Sequence, residues 1–313
     1  MPVRLPDPSA ESSRALPSPR AGFRHPAARS RRVDLHTVEE IRGAVDSRDI
    51  RAWQREVGPG DVLLAGGSWL FSEPQPGARR LLDLTTAGWP PLTETGEGLE
   101  IAATATIAQL AAYRPADLAL SPSVRRLVRQ CCEALLGSFK VWNVATVGGN
   151  LCLALPAGPM TALAAALDGT CTVWTRDGGV RRVAAVDVVT GDRVTALGPG
   201  EVLRAVTLPA AALSARVAFR RASLSEHGRS AALVIGRRRA AGGVALTVTA
   251  ATSRPVRLEL APGLSAAAAA AAVDAAVPPG GWFDDVHGAP AWRRHVTRMF
   301  AGQLVAELAD PAA

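Results

Sequence analysis

The residues best suited to hold a reactive group here are two pairs of glycines rather than any side chain. The first pair lies in Leu64-Ala65-Gly66-Gly67-Ser68-Trp69-Leu70, directly after a strand-like run. The second lies in Thr146-Val147-Gly148-Gly149-Asn150, 82 residues further on from Gly66 to Gly148. Paired glycines permit positive φ and let consecutive backbone N–H groups converge on an anion, phosphate in particular. One such pair alone marks only a tight turn. Neither pair fits G-x-G-x-x-G or a P-loop, which excludes a Rossmann or nucleoside-triphosphatase reading on spacing. Little else in the chain suggests catalysis: there are five histidines and no nucleophile–base pair. His227 and His287 fall in loops and read as ordinary surface or structural residues, so neither a catalytic residue nor a metal site is expected.

The cysteines Cys131, Cys132, Cys152 and Cys171 form no C-x-x-C pair and no ferredoxin-like spacing. An iron–sulfur cluster held by this chain is therefore not expected. Reduced thiols in a cytoplasmic protein are the simple reading. The net charge of +7 resembles a nucleic-acid signal, but residues 1–32 hold seven arginines against Asp7 and Glu11, leaving only +2 for the other 281 residues. A nucleic-acid domain concentrates its charge on a folded face, whereas this excess sits on a Pro/Ser/Arg tail that reads as disordered. No apolar run approaches the about 18 residues of a spanning helix.

The elements that must position the glycines read as α+β in three units. Thr37-Val38-Glu39-Glu40 fits a capping box, so a short helix is expected to about Val45. Strands follow at 61–65 and 80–84. The middle unit opens with a strand at 99–103 and a helix started by Thr106. Ser121-Pro122 then begins a second helix, cap followed by proline, with Val124, Leu127, Val128, Cys131 and Leu135 at helical spacing and Gly137 as its stop. Cys131 and Cys132 read as helix packing. Further strands are expected at 171–174, 180–183 and 202–208, then at 244–249 and 255–260. An Ala-rich helix at 265–277 is followed by a last helix presenting Trp292, Val296, Met299, Phe300, Leu304 and Leu308 along one side.

Taken together, the glycine pairs and what lies between them resemble the FAD-binding medium subunit of molybdenum hydroxylases, the carbon monoxide dehydrogenase and xanthine dehydrogenase family. The resemblance runs from Val33 to Ala309. It includes Ala65-Gly66-Gly67-Ser68, Leu81-Leu82-Asp83-Leu84, Ile101 to Leu110 and Asn143-Val144-Ala145-Thr146-Val147-Gly148-Gly149-Asn150. It continues through Ala166-Leu167-Asp168, Thr195 to Glu201, Phe219-Arg220-Arg221-Ala222-Ser223 and the stretch from Asp284-Asp285 to Arg293-Arg294. It implies a PCMH-type (vanillyl-alcohol-oxidase-type) FAD-binding fold of two α+β subdomains plus a C-terminal α+β domain with a small antiparallel sheet. The corresponding boundaries are a tail at 1–32, subdomains at 33–86 and 87–209, and the last domain at 215–310. It also implies that FAD pyrophosphate lies between the two glycine turns, contacted by Leu64 to Leu70 and Thr146 to Asn150, with Leu203 and Arg220 near the flavin. The implied partners are a large molybdopterin subunit and a small 2Fe-2S subunit, with no nucleic acid and no membrane span. Electrons would pass from the partner's clusters to the flavin and on to an external acceptor. The resemblance opens at Val33, and valine can be encoded by an alternative bacterial start, so the natural protein is expected to begin there.

Several positions depart from that family's pattern. Trp69 stands where Glu or Asp is common; Leu153, Leu155 and Pro159 stand where Asn, Ser and Asp are common; Asp192 occupies a loop that often supplies an aromatic. These changes imply a more apolar flavin site. The stretch Arg221 to Arg229, with Glu226 and His227, follows a family position near the flavin and reads either as a solvent loop or as a loop that limits approach to the flavin and adjusts its charge. A non-catalytic scaffold that has lost FAD is the alternative. A stand-alone oxidase with covalent FAD is disfavoured, because no His or Cys lies between Val57 and Pro74.

Overall fold

The computed structural model describes residues 37–309; the expectations for residues 1–32 and for a start at Val33 lie outside them. The chain begins with β1 (Glu40–Gly43), α1 (Ser47–Glu56), β2 (Asp61–Leu64) and β3 (Arg80–Asp83). These strands form a parallel sheet in the order β1-β3-β2. The expected helix after Thr37 is thus a strand: Glu40–Gly43 pairs with Arg80–Asp83, and the Thr37 hydroxyl donates to the Gln75 carbonyl. The capping box lies further on, where Asp46 and Asp49 exchange bonds with each other's backbone at the start of α1. Non-local pairing has overridden a local signal.

A five-stranded sheet comes next. Its elements are β4 (Leu92–Thr95), β5 (Gly98–Ala102), α2 (Ile107–Ala112), α3 (Pro122–Glu133), α4 (Phe139–Trp142), α5 (Val147–Leu153), α6 (Pro159–Ala166), β6 (Thr170–Trp174) and β7 (Val180–Ala184). They continue with α7 (Ala185–Val188), the hairpin β8 (Val189–Gly191) and β9 (Val194–Thr195), and β10 (Val202–Pro209). The strand order is β4-β5-β10-β6-β7, antiparallel throughout. Alternate residues such as Leu99, Ile101, Cys171, Val173, Val206 and Leu208 are buried with Leu127, Cys131 and Cys132 of α3, so the adjacent cysteines are core packing. Thr106 and Ser121 cap α2 and α3 as their sequences dictate. Helix α3 stops at Glu133, before Gly137; the left-handed residue that turns the chain is Leu136, at φ 56°.

The last unit contains α8 (Ala210–Leu213), β11 (Val217–Ala222), β12 (Ala232–Arg238), β13 (Val244–Thr249), β14 (Val256–Leu260), α9 (Ala266–Ala276) and α10 (Pro290–Ala309). Strands β11 to β14 pair antiparallel in sequence order. Val296, Phe300, Leu304 and Leu308 of α10 are buried against this sheet, whereas Met299 is exposed. Among the described residues no helix is long and apolar enough to cross a membrane.

Candidate cofactor-binding site

Strand β2 delivers the chain into Ala65–Leu70, and glycine is needed twice there. Gly67 has φ +68°, where a side chain is strained. Gly66 lies so close to the loop before α5 that a Cβ would fall 1.4 Å from the Val144 carbonyl oxygen. From Gly66 to Leu70, none of the five backbone N–H groups donates to another described residue. Unpaired backbone donors seek water or a ligand, and a run of them on a concave turn is an anion-binding nest.

The second glycine segment is built differently. Thr146 caps α5, accepting from the Gly149 N–H at 3.0 Å. The N–H groups of Val147, Gly148 and Asn150 donate to the carbonyls of Ala105, Ala103 and Thr146. This segment is therefore a short helix with its donors spent, not a second nest. Val147 and Gly148 are buried away from the cleft; a Cβ on Gly148 would strike Ala103, 2.6 Å from its carbonyl oxygen. Gly149 instead faces Ala65, 3.9 Å from a Cβ built on it. The Asn150 carboxamide oxygen accepts from the Met160 N–H at 3.0 Å, which leaves its NH2 group as an available donor.

Between these walls lies a cleft of about 910 Å³, lined by Leu64 to Leu70, Thr146, Gly149 and Asn150, the turn before α4, the end of α5 and the loop after it. This volume sits at the upper end of the about 300–1,000 Å³ typical of cofactor sites. Leu153, Leu155 and Pro159 line it, so the wall beyond α5 is apolar. Its charged or titratable groups are Arg193, Arg229, His287 and Glu73. Cys152 opens into the cleft, but the protein around it pushes its thiol up to about 12, so it is a neutral thiol near pH 7.

Two expected residues lie elsewhere. Leu203 is buried in the core of the five-stranded sheet. Arg220 pairs with Glu307 at 2.6 Å and Gln303 at 3.1 Å, joining β11 to α10. Both have been recruited by packing rather than by the cleft. Glu226 and His227 are exposed and do not line it, nor does Asp192. Their places are taken by Arg229, and by Arg193 beside Asp192. His287, read from sequence as ordinary, also faces the cleft.

A buried arginine holds the C-terminal side of this wall. Arg293 of α10, 1% exposed, donates to the carbonyls of Gly288, Ala231 and Ala250 and pairs with Asp285. It thereby fixes the loop bearing His287 and the start of β12 just after Arg229. Burial lowers its pKa, which Asp285 partly opposes. The Ala250 N–H in turn donates to the Pro156 carbonyl at 2.8 Å, in the loop after α5.

Residues 45–211 match the family described as the FAD binding domain in molybdopterin dehydrogenase. The chain belongs to this family. FAD is therefore its cofactor. A stretch of 84 residues is 36% identical to the xanthine dehydrogenase of Oryza sativa subsp. japonica, covering 25% of this chain and 6% of that protein. The chain thus matches only a small part of that relative's length. Quinoline 2-oxidoreductase from Pseudomonas putida 86 superposes with a TM-score of 0.70 at 20% identity, over 86% of this chain and 96% of the other. Reconstituted CO dehydrogenase from Oligotropha carboxidovorans gives 0.72 at 20%, over 86% and 97%. The Hydrogenophaga pseudoflava carbon monoxide dehydrogenase that lacks the Mo-pyranopterin moiety of its molybdenum cofactor gives 0.71 at 21%, over 85% and 96%. At these identities the likeness is one of fold, and at 85–86% of this chain it extends beyond the family match.

Proposed function

We propose that this chain is the FAD-binding electron-transfer subunit of a molybdenum-containing hydroxylase or dehydrogenase, passing electrons from iron–sulfur clusters on a small partner to an external acceptor. The observation that carries this reading is the run of five free N–H groups at Gly66–Leu70 inside a cleft of cofactor size. A diphosphate fits such a nest: its oxygens accept charge-assisted hydrogen bonds from fixed donors without repaying side-chain entropy. Gly66 and Gly67 permit the close approach, Ser68 and the Asn150 amide offer further donors, and Arg193 and Arg229 supply positive charge. When bound, FAD supplies the redox chemistry; the protein's residues bind, orient and shield it. The apolar wall of Leu153, Leu155 and Pro159 excludes water from the side opposite the nest.

The division into subdomains at 33–86 and 87–209 and a C-terminal domain at 215–310 follows from the same reading, supported by a three-, a five- and a four-stranded sheet that each lie within one span. So does assembly with a large molybdopterin subunit and a small 2Fe-2S subunit in the cytoplasm. Exposed Phe71 and Val144 on loops beside the cleft, with exposed Phe139 at the start of α4, support a protein partner there, since large exposed apolar side chains often mark interaction sites. No observation favours a scaffold that has lost FAD, which would leave the nest without an occupant. The test is co-expression with candidate partner subunits. Recovery of a flavin-containing complex that turns over substrate is the expected result. Full substrate turnover by this chain alone, or a flavin-free complex with full activity, would overturn the reading.

A further inference from the structure

We propose that Arg193 is a strap across the cleft that governs how fast FAD enters and leaves. The inference rests on the cleft being the FAD site. Arg193 sits at the tip of the β8–β9 hairpin with φ 56°, a conformation that an arginine adopts only when its surroundings impose it. Its N–H donates to the Ala154 carbonyl at 2.9 Å, and Ala154, fully buried at the end of α5, is itself left-handed at φ 52°. Two strained residues are thus joined by one hydrogen bond, which pins the hairpin tip to the α5 wall. From there the Arg193 side chain reaches the opposite wall. Its guanidinium lies over the Trp69 ring, 5.2 Å from the centroid, and 3.5 Å from the Glu73 carboxylate. Trp69 and Glu73 both belong to the loop that carries the nest, and all three residues line the cleft.

The backbone end of this bridge is fixed and the side-chain end is weak. Arg193 and Glu73 keep 53% and 40% of their side-chain surface exposed, so water and salt compete for the ion pair. A contact of this kind opens readily, and its rupture separates the hairpin from the nest loop without disturbing either core. Closed, it covers the cofactor; open, it lets the cofactor pass. Arg193 is a positioning residue here, not a catalytic one.

The experiment is FAD release from the protein, followed by the rise in flavin fluorescence after rapid large dilution, with circular dichroism as the control for folding. Arg193→Ala and Trp69→Leu should each speed release about threefold to tenfold with unchanged dichroism. Trp69→Phe keeps an aromatic face and should release near the wild-type rate. The double variant Arg193→Ala/Trp69→Leu should be no faster than either single variant, because one contact is removed in each case. Wild-type uptake of FAD with unchanged release rates in both single variants would overturn the strap alone. So would a double variant whose acceleration is the product of the two singles. Failure of the wild-type chain to take up FAD would overturn the reading of the cleft, and the strap with it.

Discussion

The carbonyl oxygen of Val144 occupies the space where a side chain on Gly66 would begin, 1.4 Å from its ideal Cβ. This contact brings the loop after β2 against the loop before α5 and so makes one cleft from two distant glycine segments. The four glycines then divide the work. Gly66 allows the approach, Gly67 turns the nest, Gly148 packs α5 on Ala103, and Gly149 keeps the wall facing Ala65 open.

Gly67→Ala is predicted to weaken FAD binding for two separable reasons. The left-handed backbone costs about 1–2 kcal/mol with a Cβ, and that Cβ would fall 2.3 Å from the Phe71 ring. Only the second term is relieved by Phe71→Ala. Equilibrium titration should therefore show Gly67→Ala/Phe71→Ala binding more tightly than Gly67→Ala but less tightly than wild type. Full recovery would mean that the left-handed turn is irrelevant to the nest.

Adjacent glycines in α5 should behave differently. Gly148→Ala forces a methyl into the Ala103 backbone, an overpacking fault that costs about 1–3 kcal/mol, or several degrees of Tm at about 2–4 °C per kcal/mol. Gly149→Ala meets the Thr146 hydroxyl at 2.8 Å and the Ala65 side chain at 3.9 Å, and it projects toward the cleft. It should lower FAD affinity about tenfold, the equivalent of about 1.4 kcal/mol, with a smaller change in Tm. Thermal unfolding and flavin titration of both variants check the contrast, and the reverse ranking would contradict it.

What could be read in the sequence was what is local. Ser121-Pro122 and Thr106 start helices because caps act within one turn. Thr37-Val38-Glu39-Glu40 misleads because pairing with β3, 40 residues away in the register Glu40 to Arg80, decides its fate. Strands β11 and β12 escape notice for a different reason. Six of the seven residues of β12 are buried, so no alternation marks it. The site divides the same way. The first glycine loop is legible, but nothing local says that Ala103 and Ala105 consume the donors of Val147 and Gly148. Arg193, Arg229 and His287 reach the cleft from three separate loops, and no spacing signal joins them. The polarity pattern around Trp69 and Asp192 becomes intelligible only in three dimensions, where Arg193 lies over the Trp69 ring.

Glu94 should give a pH-dependent contribution to stability. Its carboxylate accepts from the N–H groups of Ala116, Asp117 and Leu118 and from the Tyr113 hydroxyl. These bonds, that from Ala116 foremost, hold its pKa at about 2, below its ordinary 4.5. A depressed carboxyl adds stability that is complete above the unfolded value and disappears as pH falls through the folded one. Glu94→Gln should therefore be less stable than wild type above pH 4.5, and the gap should close between about 4.5 and about 2. Urea unfolding across that range measures it. A gap independent of pH would show that the carboxylate charge contributes nothing.

Cys152 offers a probe of where the cofactor lies. Its thiol opens into the cleft, the protein packed around it pushes its pKa up, and the thiolate is the reactive form. Iodoacetamide should label it slowly near pH 8, faster as pH rises, and more slowly still with FAD bound. Mass spectrometry of the labelled peptide reads this directly. Equal labelling with and without FAD would place the cofactor away from α5.

The free N–H groups of Gly66–Leu70 are expected to hold the diphosphate of FAD. Equilibrium titration of flavin-stripped protein with FAD and with riboflavin, which has no phosphate, tests it most directly. Charge-assisted hydrogen bonds contribute about 1.5–3 kcal/mol each, so two of them make FAD tighter by about two to four powers of ten. That ratio is the predicted result; equal affinity for FAD and riboflavin would contradict the account.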